Sequence, residues 1–355
     1  MWHGRGLNEP SYGAFLGFVG QNIIVLHASF WHFKKEGMNQ SMQALKTHVA
    51  GVDVHKDILA ITVLIGMPDE EPVAHHLECL TFTEDLLAMG LKMKELGVTD
   101  VAMESTGVYW KPVFNVWDKL GLKVIVGNAS HIKNVPGRKT DIKDSQWIAE
   151  LHRYGLIRAS FIPDGEFQRM RLLSRHRTNL TEDLAAVKNR IQKVLEDGNI
   201  KLGSVVSDVF GVSGIKILEL IAEGVTRVDA LTAAATTKIK RMGDMHKALT
   251  NCLAPEHCFV IRELMTQYRD IRARIEAVDQ ELFAKVKPYR DLVDKLDEIP
   301  GIDVVLAMGI IAEASTDTSA FKDERTFAAW AGVAPGNNES AGKKKDLKRG
   351  MATPR

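Results

Sequence analysis

Two runs, His48-Val49-Ala50-Gly51-Val52-Asp53-Val54 and Ile58-Leu59-Ala60-Ile61-Thr62-Val63-Leu64-Ile65, decide the fold of the N-terminal half, and His55-Lys56-Asp57 joins them. Both are rich in β-branched and aliphatic residues around a short polar link, which predicts a β-hairpin. A third strand is predicted near Leu77 to Phe82. Thr83-Glu84-Asp85 then offers capping chemistry for a helix closing near Gly97. Val101 to Glu104 reads as a short buried strand, Tyr109 to Leu120 as a helix ended by Gly121, and Leu122 to Val126 as another strand. Three successive strands followed by strand and helix alternation predict a mixed sheet covered by helices. That is the element order of an RNase-H-like α/β fold.

On this scaffold four acids take positions that apolar patterning does not explain. Asp53 lies inside the first strand, and Glu104 closes a buried one. Asp141 and Asp144 stand three apart at the start of a helix predicted over 140–151, a spacing that puts both on one face. All four are expected at one end of the sheet. Hard oxygen ligands of this kind suit Mg²⁺ or Mn²⁺, and a pair of such ions about 4 Å apart serves phosphodiester chemistry. Each acid alone has an ordinary explanation as a helix cap, a dipole complement or a solvated strand end. The four together, in this order, favour the metal site.

The chain has 355 residues, 45% of them hydrophobic, and three cysteines, which excludes a disordered chain and a disulfide-stapled scaffold. The expected setting is a reducing cytoplasm, and the length fits two or three domains. A net charge of +1 conceals local excess. Arg169 to Lys193 carries seven basic residues (Arg169, Arg171, Arg175, Arg177, Lys188, Arg190 and Lys193) against two acidic ones, and the tail after Gly342 carries six against one. Such runs are ordinarily solvated helix faces. Phe15 to Phe33 is too polar and too short for a membrane span and lacks the layout of a signal peptide. Residues 1–41 are expected to be an upstream extension outside the fold.

Beyond Pro163 the pattern turns helical. Gly165 to Gly198 has no proline and an apolar stripe through Leu172, Leu173, Leu180, Leu184, Val187, Ile191 and Val194, with the basic run expected opposite. Cys258 to Lys287 shows a second stripe, so an antiparallel or intermolecular coil pair is predicted, with a plain bundle core as the alternative. Pro300-Gly301 between two short helices fits a helix-hairpin-helix element that offers backbone amides to phosphate, and fits a simple helix terminator equally well. Gly336 to Lys343 imitates a phosphate-binding loop, but five residues separate the glycines and Lys344 stands where Ser or Thr belongs, so an ATPase is rejected. The spacing of His246, Cys252, His257 and Cys258 matches no common zinc site.

Gly51-Val52-Asp53-Val54-His55-Lys56, Met103-Glu104-Ser105-Thr106-Gly107-Val108-Tyr109-Trp110 and Lys139-Thr140-Asp141-Ile142-Lys143-Asp144 resemble the three acidic motifs of the DEDD insertion-sequence transposases of the one-ten and eleven-eleven group, relatives of the pilin-gene-inverting recombinases. The resemblance runs from about His48 to about Lys344. It implies a RuvC-like catalytic domain over 48–160, a helical coiled-coil linker over 164–290 and a mainly α serine-loop domain over 291–355. That last domain is expected to be truncated, because the family's chain continues into a further basic helical segment.

The resemblance further implies a bacterial, cytoplasmic DNA recombinase in which Asp53, Glu104, Asp141 and Asp144 hold Mg²⁺ or Mn²⁺, as two ions. Ser340 would attack a DNA phosphodiester and form a transient phosphoserine link, with Lys343 beside it. Arg169, Arg171, Arg175, Arg177, Lys188, Arg190, Gly301, Lys343 and Lys344 would contact nucleic acid. The implied partners are double-stranded DNA (element ends and target), a non-coding guide RNA and further copies in a homodimer or homotetramer, with no membrane. Two rivals stand beside this reading: a Holliday-junction-type nuclease that uses water, and an inactive nucleic-acid-binding remnant.

Overall fold

The structure, a computed structural model, describes residues 44–105, 107–135, 143–236, 242–333, 339–340 and 343–344. The extension expected over 1–41 therefore lies outside the described residues. The chain divides into two compact units, Met1–Phe161 with Gly336–Arg355, and Ile162–Pro335.

The first unit is built on a five-stranded sheet of β1 (His48–Val54), β2 (Ile58–Ile65), β3 (Val73–Leu80), β4 (Asp100–Glu104) and β5 (Lys123–Gly127). The order across the sheet is β3-β2-β1-β4-β5. β1 runs antiparallel to β2 and β2 to β3, whereas β4 and β5 join parallel. A hairpin followed by parallel crossovers is the RNase-H-like arrangement that the sequence predicts. The one large shift is in β3, which begins at Val73 rather than near Leu77. Its first half is exposed His and small residues on a sheet edge, so nothing apolar advertises it, yet Val73 to Leu80 pairs with the whole of β2.

Helices α1 (Thr83–Glu95), α2 (Trp110–Lys119), α3 (Ala129–Lys133) and α4 (Asp144–Arg153) cover the strands. α1 and α2 lock through the indole of Trp117, which donates to the Leu86 carbonyl at 2.7 Å. α4 lies against β1, β2 and β4. Its docking depends on a missing side chain: a Cβ at Gly51 would sit 2.2 Å from the Ala149 backbone N and 2.3 Å from the Ser145 carbonyl oxygen. Small residues at Ser145 and Ala149, one turn apart, complete the close approach. At the far end of α4, the Arg153 guanidinium donates to the carbonyls of Gly66, Met67 and Glu70.

The second unit is helical. α5 (Gly165–Asp197) and α9 (Pro255–Val286) are 33 and 32 residues long, with α6 (Val212–Ala222), α7 (Val228–Ala233) and α8 (Met245–Leu249) between them. Asp164 caps α5 by accepting from the amides of Glu166 and Phe167, and Pro255 opens α9, where its missing N–H costs nothing. The two long helices form an antiparallel pair within the chain. Tyr289 donates to Glu166 at one end, Arg177 pairs with Asp279 further along, and His257 reaches Asp197 at the other end.

Two apolar clusters flank this pair. One joins the C-terminal part of α5 to α6–α8 and the start of α9 through residues such as Ile191, Ile217, Leu249 and Ile261. The other joins Phe167 and Met170 to Leu282, to Val293 of α10 (Arg290–Asp297) and to Met308 of α11 (Val304–Ala314). Leu172, placed on the predicted apolar stripe, is 70% exposed instead, because Met170 and Leu173 fill the contact with α11. Further on, Phe321 packs with Phe327 and Trp330 of α12 (Glu324–Trp330) at ring separations of 5.1 Å. The last described segments are two-residue strands, β6 (Glu339–Ser340) and β7 (Lys343–Lys344), paired so that Ser340 is in register with Lys343.

His152 near the end of α4 is buried, and its Nε2 has no hydrogen-bond partner among the described residues. Burial first, and then the Lys46 ammonium, pull its pKa from 6.5 to about 4. A histidine held neutral in the fold but titrating at its ordinary value when unfolded gives stability that is complete above pH 6.5 and lost as the pH falls towards 4. Unfolding midpoints measured across that window should fall by the equivalent of up to about 3 kcal/mol. A His152→Leu variant should show a flatter profile over the same range.

Candidate active site

Each candidate acid is placed by its backbone. Asp53 is the penultimate residue of β1, two residues beyond the Gly51 contact and on the same face, and its side chain is 19% exposed. Glu104 is the last residue of β4, whose parallel pairing to β1 carries it to the same end of the sheet. Asp144 is the first residue of α4, brought over β1 by the Gly51 docking. The sequence reading put Asp141 on the same helical face as Asp144; the described helix begins at Asp144, with Lys143 extended before it. Asp141 itself lies outside the described residues.

The three described acids feel one another. Burial is the strongest influence on the Asp53 carboxyl and raises it above 3.8, His55 opposes this, and the charges of Asp144 and Glu104 raise it further. His55 Nε2 lies 3.1 Å from Asp53 Oδ2, and Lys133 Nζ stands 4.0 Å from Glu104. Both of those partners are largely exposed, so each pairing is screened by solvent. Among the described residues, no three His, Cys, Asp or Glu side chains are gathered closely enough to enclose an ion. The donor chemistry nonetheless fits a hard dication: carboxylate oxygens from three elements at one sheet end.

Beside Asp53 and Asp144 lies an open cleft of about 500 Å³, lined also by Ala60, Ile61, His76, Leu77, Glu78, Lys143 and Ser145. The register explains this lining. Asp53, Ala60 and Glu78 form one row across three strands, and Gly51, Thr62 and His76 form the next. Ala60 leaves space where a larger side chain would close the cleft. Beneath it, Thr62 Oγ1 bonds Ser145 Oγ at 2.9 Å and His76 Nδ1 at 3.1 Å. Sequence reasoning passed over Thr62, His76, Glu78 and Lys143. A lone hydroxyl in the otherwise apolar run from Ile58 to Ile65 is the signal that could have marked Thr62.

The predicted nucleic-acid residues separate into two groups. Arg171 and Arg175 both pair with Glu313 on α11, and Arg177 pairs with Asp279 on α9. The basic run is therefore not one free face, because α9 and α11 set acids against part of it. Arg169 and Arg190 are exposed, and the Lys188 ammonium lies 5.1 Å from the centre of the Phe210 ring. Gly301 takes φ 91° in the turn before α11, where Asp303 accepts from the Leu306 amide at the helix start. Of the serine loop, only the backbone pairing of Ser340 with Lys343 and of Glu339 with Lys344 is described.

Comparison with known proteins gives two family matches. The DEDD transposase family model of IS110 covers residues 50–200, and the model described as "Transposase IS116/IS110/IS902 family" covers residues 293–353. The chain is 32% identical over 77 residues to "Putative transposase y4pF/y4sB" of Sinorhizobium fredii, a stretch that is 22% of this chain and 19% of that protein. It thus spans about a fifth of that curated relative. Among solved structures, "T. thermophilus RuvC in complex with Holliday junction substrate" aligns with 32% of this chain and all of that one, at 14% identity and a TM-score of 0.25, a similarity too low to argue from.

Two substitutions test the assembly of the site. Gly51→Ala drives a Cβ into backbone atoms of α4, which cannot rotate away, and should cost about 3 kcal/mol or more in chemical denaturation. Asp53→Asn removes a carboxylate whose ionisation the fold opposes. It should raise the melting temperature of metal-free protein at neutral pH and abolish any rise caused by Mg²⁺.

Proposed function

Since the chain belongs to the IS110 family of DEDD transposases, we propose that it cuts and rejoins DNA for a bacterial insertion sequence, using the acid cluster of the first unit and Ser340. The observation that carries this reading is the convergence of Asp53, Glu104 and Asp144 from two strands and a helix, close enough that two of them shift the third. Carboxylates from separate elements that meet beside a cleft, one of them with a raised pKa, support a functional site.

In this reading Asp53, Glu104, Asp144 and Asp141 hold Mg²⁺ or Mn²⁺ as a pair of ions. The bound cations would supply Lewis acidity and charge neutralisation at a phosphodiester. The protein's own groups do the rest. His55 orients Asp53, and α4 fixes the position of Asp144. Ser340 provides the nucleophile: its oxygen bonds the phosphorus, the DNA 3′ or 5′ oxygen departs with a proton, and a phosphoserine link preserves the bond energy for rejoining. Lys343 is its backbone register partner on β7, and in this reading contributes positive charge to the step.

The partners follow from the same reading. Double-stranded DNA at the element ends and target is the substrate, and an element-encoded RNA selects it by base pairing, which leaves the protein to hold backbone and shape. Arg169, Lys188, Arg190 and Lys344 are its phosphate contacts, with Arg171, Arg175 and Arg177 acting through the helices they brace. The turn at Gly301 serves as a helix-hairpin-helix element. A homodimer or homotetramer in the cytoplasm brings a serine loop to an acid cluster. No described helix is long and apolar enough to cross a membrane.

Incubation of the protein with the element's terminal DNA, its adjacent non-coding RNA and Mg²⁺ should give a covalent protein–DNA species on a denaturing gel. Ser340→Ala and Asp53→Ala should each abolish it. Cleavage without an adduct, unaffected by Ser340→Ala, would make the protein a water-using nuclease, and absence of cleavage would favour an inactive remnant.

A further inference from the structure

The cleft beside Asp53 and Asp144 has a second wall. Glu78 and His76 stand on edge strand β3, two residues apart and on the same face, directly across from the acids. Of these, His76 is anchored in an unusual way for an exposed side chain. Its Nδ1 is 3.1 Å from the hydroxyl of Thr62, which is completely buried and in turn lies 2.9 Å from the hydroxyl of Ser145, 2% exposed. Two buried hydroxyls thus tie the imidazole of β3 to the first turn of α4, next to Asp144. A buried hydroxyl in mid-strand is costly unless bonded, and a valine would fill the same space without that cost. The tie leaves Nε2 as the free end of the ring, at the cleft.

The charge of the cleft gives this end a task. A phosphodiester entering beside Asp53, Glu78 and Asp144 meets carboxylates on several sides, and it needs donors as well as cations to be held. Among the lining side chains, Lys143 and His76 are the nitrogen donors available to it. We propose that His76 is a substrate-contacting residue whose Nε2–H donates to a non-bridging oxygen of the DNA phosphate bound at this cleft. For this, the Ser145 hydroxyl must donate to Thr62 Oγ1 and the Thr62 hydroxyl to His76 Nδ1, an order that both contacts admit and that puts the ring proton on Nε2. A chain of this kind fixes the tautomer and the ring angle together. Thr62 and Ser145 are then positioning residues, acting through the imidazole. The inference rests on the reading of the cleft as a phosphodiester site.

The test uses the full chain with a fluorescent duplex of the element's terminal sequence and the adjacent RNA. Single-turnover cleavage is followed against DNA concentration, and the melting shift on adding Mg²⁺ alone is measured in parallel. His76→Leu should raise the DNA concentration for half-maximal rate about tenfold, the worth of one hydrogen bond to a charged group. His76→Gln, whose amide can donate from near the Nε2 position, should recover most of the loss, and Thr62→Val should fall between. All three should keep the wild-type Mg²⁺ shift. Cleavage by His76→Leu at wild-type DNA concentrations would overturn the proposal, as would a His76→Gln variant no better than His76→Leu. Loss of the Mg²⁺ shift in the His76 variants would overturn it in favour of support for the metal site. A wild-type protein with no Mg²⁺ shift would refute the reading of the cleft and the proposal with it.

Discussion

The backbone of the helix Asp144–Arg153 rests on Gly51 with no side chain between them, and the chemistry of the first unit depends on that contact. Gly51 is two residues from Asp53 along one strand, and the helix it receives starts with Asp144. A β-carbon at that point would separate the two acids by lifting the helix that carries one of them. The hydroxyl pair of Thr62 and Ser145 fixes the helix along the strand direction, where close packing alone would permit sliding. Geometry of this kind is demanded by a site in which carboxylates must crowd together against their own repulsion. The pKa of the Asp53 carboxyl is raised first by its burial at this contact, with the charges of Asp144 and Glu104 adding to it.

The second unit meets a different constraint. Two helices of more than thirty residues with apolar stripes draw most of their stability from packing those stripes against a partner. They find it in each other, with a cluster of short helices at one end and the Arg290–Asp297 and Val304–Ala314 pair at the other. Ion pairs from Arg171 and Arg175 to Glu313 reinforce the second arrangement, and the pair of Arg177 with Asp279 ties the long helices to each other. The exposed basic residues Arg169 and Arg190 are carried on a helix that is packed at both ends.

Much of this was legible in the sequence, for identifiable reasons. Strands β1, β2, β4 and β5 are apolar and bounded by turns, so local patterning finds them, and the uninterrupted stripes of the long helices are equally plain. The carboxylates Asp53 and Glu104 stood out because burial patterns do not select them. What patterning missed is two-dimensional. The edge strand Val73–Leu80 is half polar, and its pairing is visible only once β2 is in place beside it. His76 and Glu78 reach the site through that pairing, and Thr62 through its place opposite Gly51. Likewise, the arginines of the first long helix read as one basic face until Glu313 and Asp279, distant in sequence, are brought against three of them.

The central claim is that Asp53, Glu104 and Asp144 form one cation site at the end of the sheet. Crystals grown with Mn²⁺ and measured at the manganese absorption edge test it most directly. An anomalous peak bounded by the carboxylates of these three residues is the result the account predicts. A well-diffracting crystal with manganese bound elsewhere, or with no peak at that sheet end, would contradict it.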